Sequence, residues 1–454
     1  MSAAHWVTPY NLARNLDVDR CAALHNKIYR IGRNGMGQNC SPTPGVTWWE
    51  HHTPTEEVIK HLNPDLVAFL KLAYIFRTDT RDNISFFYWL DDLAHPRLLF
   101  TTWVEVNYPH RFVWLYQHSS YSSGDEVGIV YDQERSLAAF IGHTDDLYGM
   151  CTYGWGFKPL EIILSAYLDM IREGKVSTTD RIAQTWEGPP DPISPWIMRP
   201  YTQADVEKAV SAMQGLVAAI KSRLPIHPSL SSNTWSDFEA AAAHIPSNTF
   251  IFEFLKGIST VQIPFHYLAP GIRLPSPAEF GKQPFLPSNL SKDQDYPLES
   301  PLLLFYTDGA QTTKRGIPLL PESPMIPTTP AGLYMSSIQY PSNREFSNGC
   351  YLLLPFNIGQ YGWACTSDNQ QMGVDACDTV PKPKGMHDDL YQSGYNGFVD
   401  LRHVQLHKVL QNWASNVENC HWEVGEDGVV GGIERFQDAD TEDHWEKYWV
   451  PPSW

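Results

Sequence analysis

The chain has 454 residues and a formal charge of −18, from 33 Lys and Arg against 51 Asp and Glu. Hydrophobic residues make up 43% and charged residues 19%, which excludes a fibrous repeat and wholesale disorder. The acidity argues against a general polyanion binder, although eleven basic and eleven acidic residues balance over positions 1–115 and leave all the excess negative charge beyond them. No apolar run reaches the roughly 18 residues of a membrane helix, and the start, Met1 to Trp6, lacks a charged segment followed by an apolar one, so neither a membrane partner nor export is expected. Seven cysteines, odd in number and without a C-x-x-C or zinc-ribbon spacing, point to a reducing cytoplasmic setting.

In chain order, Arg14, Arg20, Lys27, Arg30 and Arg33 run into the glycine-bearing Ile31–Gly37, read as a basic loop able to grip phosphate. Thr53-Pro-Thr-Glu56 predicts a capping box opening a short helix, and Asn63-Pro64 predicts a second helix start. The β-branched and aromatic runs 83–90, 97–104, 111–116, 126–131 and 137–141 predict strands joined by short turns, hence an antiparallel sheet. Helical spacing returns over 159–172, after Thr202, where Val206, Val210, Met213, Val217, Ile220 and Leu224 share a face, and late in the chain at Val399, Leu406, Leu410, Trp413 and Val417. Further strands are predicted at 249–254, 302–306, 332–339 and 350–355. The thirteen prolines of residues 261–331 predict long irregular structure. The expected fold class is α+β, a mainly antiparallel sheet with helices on one face and long Pro-rich irregular segments. The expected organisation is an N-terminal α+β region over residues 1–200, with the basic loop and the antiparallel strands. A helix, the Pro-rich wrap and a C-terminal α+β region follow over 201–454, packed with the first as one unit.

Three Asp-Asp-Leu triplets, at Asp91, Asp145 and Asp388, each lie near a histidine (His95, His143, His387). Paired carboxylates clamp a guanidinium, hold Mg²⁺ or divide acid and base roles, and equally cap turns. Asp91, Asp92, Asp145 and Asp146 are the candidate substrate-binding residues. A diphosphate–Mg²⁺ reading would need long amphipathic helices around the pairs, where strand-like runs stand. His403 and His407 have the i, i+4 spacing of helical metal ligands without a third partner in sequence, so no metal is assigned, and no cofactor is expected. For a nucleophile, Gln117–Gly124 offers serines beside His118, with Ser119 the candidate acyl carrier. Gly149–Gly156 offers Cys151 in a turn before a helix, whose dipole would lower a thiol pKa. Lys27, Arg30 and Arg33 are the candidate nucleic-acid contacts.

The run Glu426-Asp-Gly-Val-Val-Gly-Gly-Ile-Glu-Arg-Phe436, continuing through Asp438–Tyr448 to Pro451-Pro-Ser-Trp454, resembles the tail of a group of filamentous-fungal proteins similar to the arginine-containing cyclodipeptide synthases. The resemblance implies a cytosolic enzyme of secondary metabolism. Such an enzyme takes aminoacyl groups from arginyl-tRNA and a second aminoacyl-tRNA and closes a diketopiperazine. It transfers no catalytic residue. The tail has a purely structural reading as well, with Asp440 as the N-cap of a short docking helix. Two other readings stand beside it. One is a cyclase or hydrolase acting on a small fungal metabolite without tRNA, with His95, His143 and the carboxylates as acid and base, and the other is a non-catalytic binding protein.

Overall fold

A computed structural model describes residues 15–36, 45–76, 84–119, 127–154, 156–178, 195–225, 242, 245, 247–284, 301–309, 312–313, 329–335, 346–372, 387–394, 396–399, 403–451 and 454. The chain divides into two compact units, Met1–Arg199 with Tyr395–Leu401 and Trp454, and Pro200–Gly394 with Arg402–Ser453. Both mix helices with antiparallel sheet, so the fold class is α+β.

The first unit opens with α1 (Val18–Gly35), whose N-cap Asp17 accepts the Arg20 N–H. A short ladder, β1 (Val46–Thr47) on β2 (Tyr74–Ile75), encloses α2 (Trp48–His52), α3 (Glu56–Ile59) and α4 (Pro64–Leu72). The first capping box lies one element earlier than the sequence suggested. Thr47 and Glu50 form it, and α3 starts from Thr55 without a side-chain cap, because Thr53 sits in the left-handed region and closes α2. Asn63 caps α4 as expected, its side-chain carbonyl oxygen accepting the Leu66 N–H. The sheet is a meander of β3 (Leu90–Leu93), β4 (Phe112–His118), β5 (Gly128–Asp132) and β6 (Leu137–Ile141). The run 97–104 is no strand. It folds into turns and a 3-10 segment at Trp103–Val106, where the Trp114 N–H bonds Leu99 O outside the ladder. α5 (Thr144–Tyr153) covers Val130, Ala139 and Ile141 on one face of the sheet, while every position of β5 and β6 is buried. α6 (Leu160–Arg172) packs on α1, and β7 (Val176–Thr178) pairs β8 (Trp196–Met198).

The second unit begins with α7 (Gln203–Lys221), opened by a capping box between Thr202 and Asp205. The segment 249–254 is helical rather than extended. In α8 (Phe250–Ile258) the spacing of Phe250, Ile251, Phe254, Leu255 and Ile258 buries one helical face, and Thr249 caps it. Then follow β9 (Tyr267–Ala269), β10 (Ile272–Arg273), α9 (Pro277–Phe280), β11 (Leu302–Thr307), β12 (Thr312–Thr313), β13 (Thr329–Pro330), β14 (Gly332–Met335), β15 (Gly349–Ile358), β16 (His387–Leu390) and β17 (Val404–Gln405). The unit closes with α10 (Leu406–Glu418), β18 (Val424–Gly425), β19 (Gly428–Val429), a 3-10 stretch at Ile433–Asp440 and α11 (Trp445–Tyr448). The large sheet runs β16-β15-β14-β11-β10-β9-β19-β18, antiparallel except where β19 meets β9. Period-two alternation sorts its side chains. Leu302, Leu304, Leu333, Met335, Leu352 and Leu354 join α7, α8 and α10 in the main core, while Leu303, Tyr334, Tyr351 and Leu353 form a small cluster on the opposite face. Much of the proline-rich run, including 285–300 and 314–328, lies outside the described residues.

Candidate functional site: the two faces of helix α1

The expected basic loop is a helix. Ile31–Gly35 continues α1, and its glycines serve packing: a Cβ on Gly32 would stand 2.8 Å from the Trp196 ring and one on Gly35 2.2 Å from Thr178. Gly37 lies outside the described residues. At 100° per residue, Arg20, Lys27 and Arg30 fall within about 80° of one another, and all three are exposed. Arg33 is half-buried. The Arg30 guanidinium lies 6.0 Å from the Tyr74 ring, and on the neighbouring α4 the Lys71 ammonium lies 4.8 Å from the Trp49 ring. Cations interleaved with aromatic rings suit a phosphate backbone with stackable bases.

The opposite face buries Cys21, His25, Ile28 and Tyr29. His25 is enclosed between a stacked Phe86 at 4.4 Å and an edge-on Phe69 at 5.8 Å. Its Nε2 lies 2.7 Å from the Tyr74 carbonyl and its Nδ1 2.8 Å from the Tyr116 hydroxyl. A carbonyl can only accept, so Nε2 carries the proton and Nδ1 accepts from Tyr116. Burial holds the imidazole pKa down at about 4 and lifts the Tyr116 phenol well above its usual range. One turn earlier the Cys21 thiol donates to Glu161 Oε2 at 3.7 Å, and burial with that carboxylate pushes its pKa up. The set therefore rests as neutral imidazole, phenol and thiol.

Asp91 and Asp92 sit on β3 at one edge of the meander, and Asp145 and Asp146 open α5 just after β6 at the other. Three strand spacings, about 14 Å, separate those edges, so the geometry does not gather the four carboxylates into one guanidinium clamp. The Asp92 oxygens accept the Phe76 N–H at 3.0 Å and the Leu93 N–H at 2.7 Å, and burial raises both the Asp91 and the Asp92 pKa, the latter strongly. Asp145 is exposed and belongs to the first turn of α5, where His143 Nδ1 accepts its N–H at 3.1 Å, a cap with a favourable dipole. The third triplet lies on β16, with Asp388 buried.

Neither expected nucleophile keeps the surroundings the sequence suggested. Ser119 is buried and its hydroxyl donates to Tyr88 O at 2.6 Å, while His118, the last residue of β4, packs 5.6 Å from Phe140. Successive residues at a strand end point to opposite sides, which parts the pair. The other serines of that run, at positions 120, 122 and 123, lie outside the described residues. Cys151 stands inside α5 rather than in a turn before a helix, is 1% exposed, and burial pushes its pKa up, which makes the thiol inert. His403 precedes β17 and His407 lies in α10, so the two share no helix, and His403 packs 5.8 Å from Tyr351. Among the described residues no group of three or more His, Cys, Asp or Glu side chains could hold a metal ion, and no described helix is long and apolar enough to cross a membrane. His95 is exposed, its ring centroid 5.0 Å from His52, whose pKa burial and the neighbouring His51 and His95 lower to about 4.

His25, Tyr116 and Glu161 carry no motif. The only signal is a cysteine and a histidine four residues apart within the apolar stripe of α1. Asp440 is likewise no N-cap: it ends the 3-10 stretch, is 3% exposed, and accepts the N–H groups of Tyr361 at 2.8 Å, Trp363 at 2.9 Å and Ala364 at 3.0 Å. The chain matches no protein-family model, no curated protein and no solved structure.

Proposed function

We propose that the protein is a tRNA-dependent aminoacyltransferase that condenses arginine with a second amino acid into a cyclodipeptide, and that α1 is its RNA-facing element. The supporting observation is the division of α1 into an exposed cationic face, Arg20, Lys27 and Arg30, and a buried face whose polar groups pair with Tyr116 and Glu161. Local cationic clustering counts here because the excess negative charge of the chain lies beyond residue 115, while residues 1–115 are balanced. The reaction asks little acid strength of the protein: an aminoacyl ester is already activated, so the chain has to position an amine against the ester carbonyl, remove a proton and stabilise an oxyanion. Asp91, on the edge strand, is better placed than its neighbour to meet a cationic side chain, since Asp92 spends both oxygens on backbone N–H groups.

Expression in a bacterial host, which supplies aminoacyl-tRNAs, should put an arginine-bearing diketopiperazine into the medium, detected by mass spectrometry and lost from the lysate reaction on RNase treatment. The double reversal Lys27→Glu/Arg30→Glu should reduce product at least tenfold. Absence of product from soluble wild-type protein would remove the proposal.

A further inference from the structure

The C-terminal tail gathers three basic side chains where its own composition is acidic. Residues 418–447 hold ten Asp and Glu against Arg435 and Lys447. Yet His421, just past α10, comes beside His444 and Lys447 of α11, and all three are half-buried and reach solvent. Their closeness shows in the His421 imidazole: burial first, then the charges of Lys447 and His444, hold its pKa below the usual value. Each group is fixed by a hydrogen bond that decides which atoms stay available. Lysine only donates, so the Lys447 ammonium, 2.6 Å from His444 Nδ1, leaves the ring proton of His444 on Nε2. Asn416 Nδ2 donates to Lys447 O at 2.9 Å and to Asn412 O at 3.0 Å, so its Oδ1 accepts from His421 Nδ1 at 3.3 Å. The His421 main chain is anchored to the same residue, its N–H donating to Asn416 O at 2.9 Å. There remain His444 Nε2–H, the other N–H groups of the ammonium and His421 Nε2, which becomes a donor on protonation. Among the described residues no carboxylate pairs with any of the three: Asp438 takes Arg435 at 3.1 Å, and Asp440 takes the N–H groups of Tyr361, Trp363 and Ala364.

We infer that His421, His444 and Lys447 form a binding site for a single phosphate group. A charged ammonium and two imidazoles, none of them paired with a carboxylate, call for an anion. A phosphate monoester brings three terminal acceptor oxygens and about −1.5 to −2 charge at pH 7, more of both than a carboxylate has. The surrounding acids limit the size of the ligand. Glu418 ends α10, and Glu442, Asp443 and Glu446 flank Lys447 along the tail, all of them exposed. The successive phosphates of a nucleic-acid strand would meet like charge there, whereas one phosphate group fits among the three basic side chains.

Isothermal titration of the full-length chain with inorganic phosphate at pH 7, in about 150 mM chloride to screen loose surface attraction, tests this. The expected result is saturable binding, weakened at least tenfold by Lys447→Met and about fivefold by His421→Gln and by His444→Gln. Lys256→Met removes the same charge from an exposed position of α8 and should leave binding unchanged. The unliganded melting temperature of Lys447→Met should match the wild type, because the Lys447 carbonyl that holds Asn412 and Asn416 stays in place. Bound phosphate should also raise the pH at which the His421 ring titrates by nuclear magnetic resonance, since an anion favours the protonated imidazole. Glycerol phosphate and a phosphoserine peptide, as further ligands, tell a small ester from a phosphorylated chain by which of them binds more tightly. Absence of saturable phosphate binding, undiminished binding by the Lys447 and His421 variants, or an equal loss in Lys256→Met would each overturn the assignment. None of these readouts depends on RNA or on cyclodipeptide formation.

Discussion

Two buried polar groups tie together distant parts of the chain by opposite means. In the first unit His25 joins α1 to β2 and β4 as a neutral imidazole, donating to Tyr74 O and accepting from Tyr116. In the second unit Asp440 joins the C-terminal tail to the loop after β15 by accepting three backbone N–H groups. Each group uses the partners its chemistry allows. Backbone N–H donors converging on a carboxylate compensate its lost hydration, so Asp440 can sit in the core without a cation. His25 meets a carbonyl and a phenol, and a second proton on its ring would leave Tyr116 facing a donor, so burial excludes the charged form.

The largest effect that tests this contrast is at Asp440. Asp440→Ala leaves three N–H groups without their acceptor and should cost about 3 kcal/mol or more. Asp440→Asn keeps one acceptor oxygen and should cost roughly half as much. Urea midpoints decide it, and a cost for Asp440→Ala below about 1 kcal/mol would dissolve the contrast.

Next comes the imidazole, where pH is the lever. Its folded pKa is about 4 against 6.5 for the free group, so the unfolded chain takes up the proton first as pH falls. The stability due to neutral His25 is complete above pH 6.5 and is lost as pH falls from there towards 4, in all by roughly 3 kcal/mol. His25→Leu should flatten that slope, leave the Tyr116 hydroxyl without its acceptor, and cost about 2 kcal/mol at pH 7. Wild-type and variant urea curves at pH 7 and pH 5 give both numbers, and parallel losses in the two proteins would refute the assignment.

A smaller effect on stability, but the sharpest on partner binding, is expected at the outer face of α1. Lys27→Glu and Arg30→Glu should each leave stability within about 0.5 kcal/mol, since both residues are exposed. If RNA lies there, each change should lower the salt dependence of its binding by about one phosphate contact. Filter binding at several salt concentrations measures it, and unchanged slopes would move the interface elsewhere.

The smallest effects concern residues the geometry has turned into structural ones. Cys151→Ala should leave product formation unaltered, and Cys151 should resist alkylation in the native chain while the exposed Cys420 reacts; mass spectrometry of labelled peptides tells them apart. Asp145→Asn removes a charge from the first turn of α5 and should cost about 0.3–1 kcal/mol, visible as a small shift of the melting temperature.

Elements with strong local signals were legible. The stripe from Val206 to Ile220 marked α7, and the β-branched and aromatic runs at 111–116, 126–131 and 137–141 marked three strands of the meander. Where an apolar run fits both periods, as at Phe250–Ile258, β-branched and aromatic composition misleads, because helix packing against a sheet rewards the same residues. The glycines of Ile31–Gly35 mislead for a related reason: alone they signal a loop, and only the approach of Trp196 and Thr178 shows them as contact points of a helix.

Composition and charge, the α+β class, the periodic stripe of α7 and the strands β4 to β6 follow from residues a few positions apart, whereas the basic residues near Arg30 read locally as a loop and only the fold sets them on one face of α1. Tertiary structure decided everything that requires convergence. It separated the aspartate pairs, buried Ser119 and Cys151, paired His25 with a tyrosine 91 residues later and set Asp440 on a loop 76 to 79 residues before it. The physical reason is that pKa, reactivity and hydrogen-bond partners are properties of an environment, and that environment is assembled from segments whose separation along the chain leaves no periodic trace.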